Sequence, residues 1–197
     1  MKLPEPNFDG GFAVEAALLA RRSVRDYGEA PLSLAEVSQL LWAAQGVNAP
    51  EGYRTAPSAG ALYPLEIHLV AGNVESLSAG VYKYAPRRHK LRRTSEGDLR
   101  ARVSAIALHQ EWIAESAAIF VFAAVIERAT RKYRQRGRRY ILLETGHAAQ
   151  NVLLQAAALD LGAAVVGAFD DGELKKAIGM SRDEAAVYIL TIGHERR

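Results

Sequence analysis

The chain has 197 residues, roughly half of them apolar and a quarter charged, with no cysteine and a formal net charge of +3. That length predicts one domain, 1–197, burying about 70% of its unfolded surface, so neither a disulfide nor a metal is needed for folding. The absence of cysteine excludes disulfide frameworks, thiol catalysis, zinc–thiolate sites and iron–sulfur clusters.

Residues 1–11, MKLPEPNFDGG, carry two prolines and no apolar run, and are expected to be an extended N-terminal segment, neither a signal nor a transit peptide. No stretch approaches the roughly 20 apolar residues of a membrane span, so a soluble, cytoplasmic protein is expected. Phe12–Ala20 has helical spacing and stops before Arg21-Arg22. Ser33 and Glu36 form a capping-box pattern ahead of Val37, Leu40, Leu41 and Ala44, a helix that Gly46 closes. After the turn-rich Asn48–Gly60, Glu66–Val70 reads as a strand, and Val81–Ala85 and His89–Arg93 as a hairpin around Pro86-Arg87-Arg88. Asp98–Leu108 is an amphipathic helix, and Ala117–Ile126 a strand buried on both faces.

Between Arg128 and Arg139 lie Arg128, Arg131, Lys132, Arg134, Arg136, Arg138 and Arg139, with no acidic residue. The run reads as a solvated loop in preference to a nucleic-acid surface, since Tyr133 and Tyr140 offer little stacking area. Arg139–Leu161 is the longest helix, with Gly162 as its C-cap. Ala163–Val166 is a short strand, Asp170 caps a helix through Ile178, and Ala186–Ile192 is the last strand. Interspersed helices and strands with a hairpin predict an α+β domain whose sheet is not all parallel.

Three segments have the chemistry of a ligand site. In an extended chain Arg21, Ser23 and Arg25 project on one side, two guanidiniums and a hydroxyl suited to a phosphate dianion. The small residues around Ser58 in Thr55–Pro64 let the backbone approach a planar ligand, and backbone N–H groups of Gly167 and Ala168 can face an electron-rich ring atom. Glu144 and His147 are one helical turn apart, an isolated pair that does not make a metal site. No G-x-G-x-x-G, Walker A or G-x-S-x-G pattern occurs.

In order, RRSVRDY, PLSLAEVSQLLWAAQGV, RTAPSAGALYPLEIHLV, RGRRYILLETGHAAQNVLLQAAAL and VGAFDD resemble the nitroreductase superfamily of flavoproteins, and more narrowly the SagB-type dehydrogenases. The match runs from Arg21 to the C-terminus, with SAGALYPLE and ETGHAAQN as its specific markers. The resemblance implies a nitroreductase-like FMN-binding α+β fold, with a mostly antiparallel or mixed sheet flanked by helices. It further implies a homodimer with flavin at the subunit interface, and ping-pong hydride transfer through flavin N5 with NADH or NADPH as a reductant. Arg21, Arg22, Ser23 and Arg25 match the segment that holds the FMN phosphate and ribityl chain. Pro57, Ser58, Ala59 and Gly60 match a loop supplied by the partner subunit, Gly167 and Ala168 the donors near N5, and Arg196 a C-terminal phosphate contact.

Enzymes of this type that oxidise azolines to azoles in peptides use a Lys-Tyr pair to deprotonate the ring. Lys132 and Tyr133 lie in the comparable stretch, where Lys132 and the neighbouring arginines supply the cation that a tyrosine base requires. The short N-terminal segment and the early end after the last strand are expected to weigh against the peptide-modifying role. The resemblance therefore implies an FMN oxidoreductase acting on a small-molecule or peptide substrate, with azoline oxidation or a non-catalytic flavin protein as alternatives.

Overall fold

The structure, a computed structural model, describes residues 1–196. Seven helices surround a six-stranded sheet: α1 Val14–Ala20, α2 Leu34–Gln45, β1 Leu65–Ala71, β2 Gly80–Ala85, β3 Lys90–Glu96, α3 Arg100–Ile106, α4 Trp112–Glu115, β4 Ala118–Val125, α5 Ile126–Tyr133, α6 Arg136–Ala158, β5 Gly162–Val166, α7 Asp171–Ala177 and β6 Glu184–Gly193. The strand order is β3-β2-β1-β4-β6-β5, and every neighbouring pair is antiparallel. Parallel pairing among the described residues is confined to isolated bridges, Ser23 with Ala163 of β5 and Leu32 with Val74.

β4 explains the three-layer arrangement. All eight of its residues are buried. Because strand side chains alternate, Ala118, Phe120, Phe122 and Ala124 enter one core with α2 and α6, while Ile119, Val121 and Ala123 enter a second core that includes Val103 of α3 and Leu174 of α7. The continuous apolar run is thus the signature of a strand covered on both faces.

Local signals fix several boundaries. Ser33 Oγ accepts from Glu36 N–H at 3.2 Å while Glu36 Oε2 accepts from Ser33 N–H at 2.7 Å, completing the capping box of α2. Asp170 accepts from Glu173 N–H at 2.8 Å and starts α7. Residues 1–3 join the edge of β3, with Leu3 N–H on His89 O and Leu91 N–H on Met1 O.

Two expectations are corrected. The basic run is not a loop: it forms α5 and the first turn of α6, joined by a sharp turn at Arg134. Gly162 is not a helix cap: Leu159 ends α6, and Gly162 opens β5, where a side chain would press into Val24, with a Cβ only 2.6 Å from Val24 Cγ1. Among the described residues no helix is long and apolar enough to cross a membrane.

Candidate active site

The chain leaves α1 in an extended course along β5. Arg21 N–H closes the helix on Ala17 O, Val24 N–H bonds Ala163 O at 3.1 Å, and Ser23 bridges Ala163. Tyr27 anchors the end of this segment: its buried hydroxyl meets Thr191 Oγ1 at 2.7 Å and bonds Val24 O at 2.9 Å. Burial pushes the Tyr27 phenol well above its ordinary pKa, so it remains a neutral hydrogen-bonding post. Arg21 lines a cleft of about 150 Å³ with Leu153, Ala157 and Leu161. Ser23 and Arg25 are exposed, and the Arg25 guanidinium lies 5.4 Å from the centre of the Trp112 ring. Arg22 also lines this cleft and donates to Leu19 O and Arg21 O, both at 2.8 Å. Arg196 pairs with Asp26 at 2.9 Å and donates to Tyr27 O at 3.0 Å, bracing the C-terminal segment against residues 26–27.

Gly167 and Ala168 emerge exposed where the β5–β6 ladder ends at Val166. From Ala163, beside Ser23, to Gly167 is four residues of strand, on the order of 13 Å. This run sets Arg21 and Ser23 at one end of β5 and the two exposed amides at the other.

The 57–63 loop lies elsewhere. Gly60, Ala61 and Tyr63 all have left-handed φ, of 63°, 53° and 46°, a concentration of backbone strain that the surroundings must hold. They do so at several points. Ser58 Oγ accepts from Tyr63 N–H at 2.9 Å, and buried Glu144 accepts from Ala59 N–H at 2.8 Å. Asn151 donates to Ala43 O and Thr55 O, and Arg128 donates to Tyr63 O at 3.1 Å. The two marker motifs are therefore braced against each other, ETGHAAQN supplying the acceptors and donors that shape SAGALYP. Pro57 is exposed at the head of the loop.

Lys132 and Tyr133 meet this loop at Gly60. A Cβ there would stand 2.7 Å from Tyr133 Oη and 2.9 Å from Lys132 Nζ, so only glycine leaves room for both. Lys132 Nζ lies 5.4 Å from the Tyr133 ring centre, and Tyr140 packs edge-on against Tyr133 at 5.0 Å. A chain of charges lies behind: Arg128 to Glu66 at 2.6 Å, Glu66 to Lys83 at 3.2 Å, Lys83 to Glu184 at 2.5 Å, and Glu184 to His68 at 3.3 Å. Burial alone would raise the Glu184 carboxyl, but His68, Lys83 and the Ser181 N–H more than offset it and hold its pKa well below the carboxylate range.

Glu66, Lys83, Asn151 and Glu184 carry no site signal of their own in the sequence, Arg128 stands there only as part of the basic run, and Glu144 only as half of a metal pair. Their signal was present in the markers SAGALYPLE and ETGHAAQN, which contain Glu66, Glu144 and Asn151. A cavity of about 630 Å³ lies between the N-terminal segment, α2 and α6, and of the expected ligand segments it is reached by Thr55.

The register shows that one chain holds these two clusters far apart. Ala163, Ile192, Ala118 and Ala71 form one row across the sheet, whereas the loop enters β1 at Leu65, opposite Ala124. Six residues along β1 and three strand spacings separate Ser23 from the loop, more than about 20 Å.

The Nitroreductase family matches residues 18–194. The chain belongs to that family. A Methanocaldococcus jannaschii protein named as a nitroreductase, MJ1384, is 42% identical over 182 residues, covering 92% of this chain and 91% of its own. The microcin B17-processing protein McbC of Escherichia coli is 30% identical over 165 residues, 81% of this chain, and supports the likeness to SagB-type enzymes. The chain spans only 61% of the length of McbC. A nitroreductase structure from Ralstonia eutropha superposes with a TM-score of 0.89 at 29% identity, over 100% of this chain and 90% of that one. The E. coli McbBCD microcin synthetase complex, with truncated pro-MccB17 bound, superposes with a TM-score of 0.77 at 26% identity, over 98% of this chain and 79% of that one.

Proposed function

We propose that this member of the family is an FMN-dependent oxidoreductase working as a cytoplasmic homodimer, each flavin lying between two copies. The observation that carries the reading is the separation of the half-sites. A gap of more than about 20 Å separates Arg21 and Ser23 from the loop within one copy, so a second copy is the natural source of the loop. One copy would supply Arg21, Ser23, Arg25, Gly167 and Ala168, and the other Pro57 to Gly60 with Lys132 and Tyr133. Exposed apolar side chains on elements leading to both half-sites, Val14, Leu18 and Leu19 of α1 and Leu142 and Leu143 of α6, suit burial against a second copy.

The residues fit the cofactor. Arg21 and Ser23 offer charged and neutral donors to a phosphate, with Arg25 at the rim, and Arg196 enters the set through Asp26 beside the same segment. β5 spaces these from the exposed amides of Gly167 and Ala168, which would donate to the polar edge of the ring and bias its electronics. Gly60 and its small neighbours give a wall of low relief. The flavin supplies hydride acceptance at N5 from a reduced nicotinamide or organic substrate and hydride donation to a second substrate, in a ping-pong cycle. The chain's own part in the chemistry falls to Tyr133 Oη, which would exchange a proton with the substrate while Lys132 Nζ beside it stabilises the phenolate.

A second reading, azoline oxidation in a peptide, is favoured by one observation: Lys132 and Tyr133 converge on Gly60. In that reading Tyr133 Oη takes the ring proton. Retained flavin with lost azoline oxidation in Tyr133→Phe supports it, and full oxidation by that variant contradicts it.

The visible spectrum of the purified protein with FMN, before and after anaerobic NADH or NADPH, tests the main reading. Flavin bands bleached by nicotinamide are the expected result. Bound flavin that nicotinamide leaves oxidised favours the azoline reading, or a flavin protein without turnover if no substrate reduces it. Protein that takes up no FMN overturns the proposal.

A further inference from the structure

We propose that Arg128 is the positioning residue of the site: held by Glu66, it fixes α5 against the 57–63 loop and so aligns Lys132 and Tyr133 over Gly60. The inference rests on the role given to that pair above.

α5 packs on one side against the start of α6, where Gly137 lies against the Ala129 and Thr130 backbone and Tyr140 against the Tyr133 ring; its tie to β1 and the loop is a separate contact. Of its eight residues only Ala129 is buried, with Ile126 partly packed on the core. Its exit is strained: Arg134 has φ 51° and ψ −137°, outside the usual range for a residue with a side chain, with its N–H on Thr130 O and its carbonyl accepting from Gly137 N–H. α6 holds α5 on one side, and its alignment with the 57–63 loop calls for a restraint on the other.

Arg128 is that restraint. A single guanidinium nitrogen reaches Glu66 Oε1 on β1 at 2.6 Å and Tyr63 O at the end of the loop at 3.1 Å. It therefore ties helix, strand and loop at one point. Glu66 is a firm post because its other oxygen meets Lys83 Nζ, which is itself anchored on fully buried Glu184. Arg131 makes the contrasting case. It pairs with Glu127 within α5, and both side chains are more than 70% exposed, so that pair adds little and restrains nothing beyond the helix. Arg128 lies four residues before Lys132, on the same face of α5, so slack at Arg128 is felt directly at Lys132 Nζ.

The test compares Arg128→Met, Arg128→Lys, Arg131→Met and Tyr133→Phe as FMN-loaded proteins. Two readouts are used: tryptic nicking after Lys132, and steady-state turnover of NADPH with a nitroaromatic acceptor. Arg128→Met leaves Glu66 paired with Lys83, so no buried charge is orphaned. The expected result is unchanged flavin uptake, faster nicking, and a kcat lower by about tenfold or more with KM nearly constant, since misplacing a reacting group costs rate rather than binding. Arg128→Lys should recover part of the loss, because an ammonium can pair with Glu66 without spanning to Tyr63 O. Arg131→Met should match the wild type. An Arg128→Met protein that nicks no faster than wild type overturns the proposal, as does one whose kcat is unchanged while Tyr133→Phe is slowed. If Tyr133→Phe turns over at the wild-type rate, the catalytic role of Tyr133 fails instead, and the nicking rate alone decides whether Arg128 holds α5.

Discussion

Glu144, buried in the middle of the 23-residue α6, accepts the amide proton of Ala59 at 2.8 Å. A long helix thereby dictates the shape of a strained loop that precedes it by most of the sheet. Replacing Glu144 by leucine removes the acceptor and leaves a partly buried N–H unpaired, a loss of about 1–3 kcal/mol. Glu144→Gln keeps an acceptor and should lose less. Denaturant unfolding of the two variants checks the order. Turnover should follow it, because the same bond holds the wall of the proposed flavin site.

Gly60→Ala separates folding from function. An L-residue at φ 63° costs about 1–2 kcal/mol, while the atoms its Cβ would strike, Tyr133 Oη and Lys132 Nζ, are the ends of movable side chains. Stability should therefore fall by no more than about that amount. Activity should fall further, since the displaced atoms are those assigned to proton transfer. Comparing unfolding midpoints with turnover in wild type and variant measures the two effects independently.

Acid sensitivity should come in two stages. Burial lowers the pKa of His89, whose ring nitrogens meet Tyr84 at 2.8 Å and Ser38 at 2.7 Å. A base with a depressed folded-state pKa contributes stability that is complete above its unfolded value of about 6.5 and is lost as pH falls below it. Glu184 contributes in the same direction at lower pH. Its carboxylate stabilises the fold fully above the unfolded value of about 4.5, and that contribution fades as pH drops toward its depressed folded-state pKa. Unfolding free energy measured from pH 8 to 4 should decline in the His89 window first. His89→Gln should flatten only that first decline, and an unchanged slope between pH 7 and 5 in the variant would contradict the assignment.

The sequence carries most of the scaffold in local form. Ser33 and Glu36 announce α2, the alternation of Phe120, Val121 and Phe122 announces a strand with a core on each face, and Asp170 announces α7. α5 was hidden because Ile126 and Ala129 are its only inward apolar residues, too few for a period to stand out from the surrounding cations. It is placed by contacts between segments, Gly137 of α6 against Ala129 and Arg128 with Glu66 of β1. Gly162 misled for a related reason: the glycine serves the approach of Val24, not the end of a helix. Glu144 and His147 looked alike on a helical wheel, yet Glu144 turns inward to the loop and His147 remains exposed. The two candidate clusters are each legible as residue chemistry, whereas the distance between them is visible only in the register of the sheet.

The shared site is tested most directly by subunit mixing with flavin content as the readout. Arg21→Ala/Ser23→Ala removes the phosphate donors, and Gly60→Phe fills the ring wall, so each protein alone should be nearly colourless. Co-expressed with different tags, they form hybrid dimers in which one site carries every lesion and the other none. Random pairing then predicts flavin at about a quarter of the wild-type content per chain. A mixture as colourless as its parents would contradict a flavin site built from two copies.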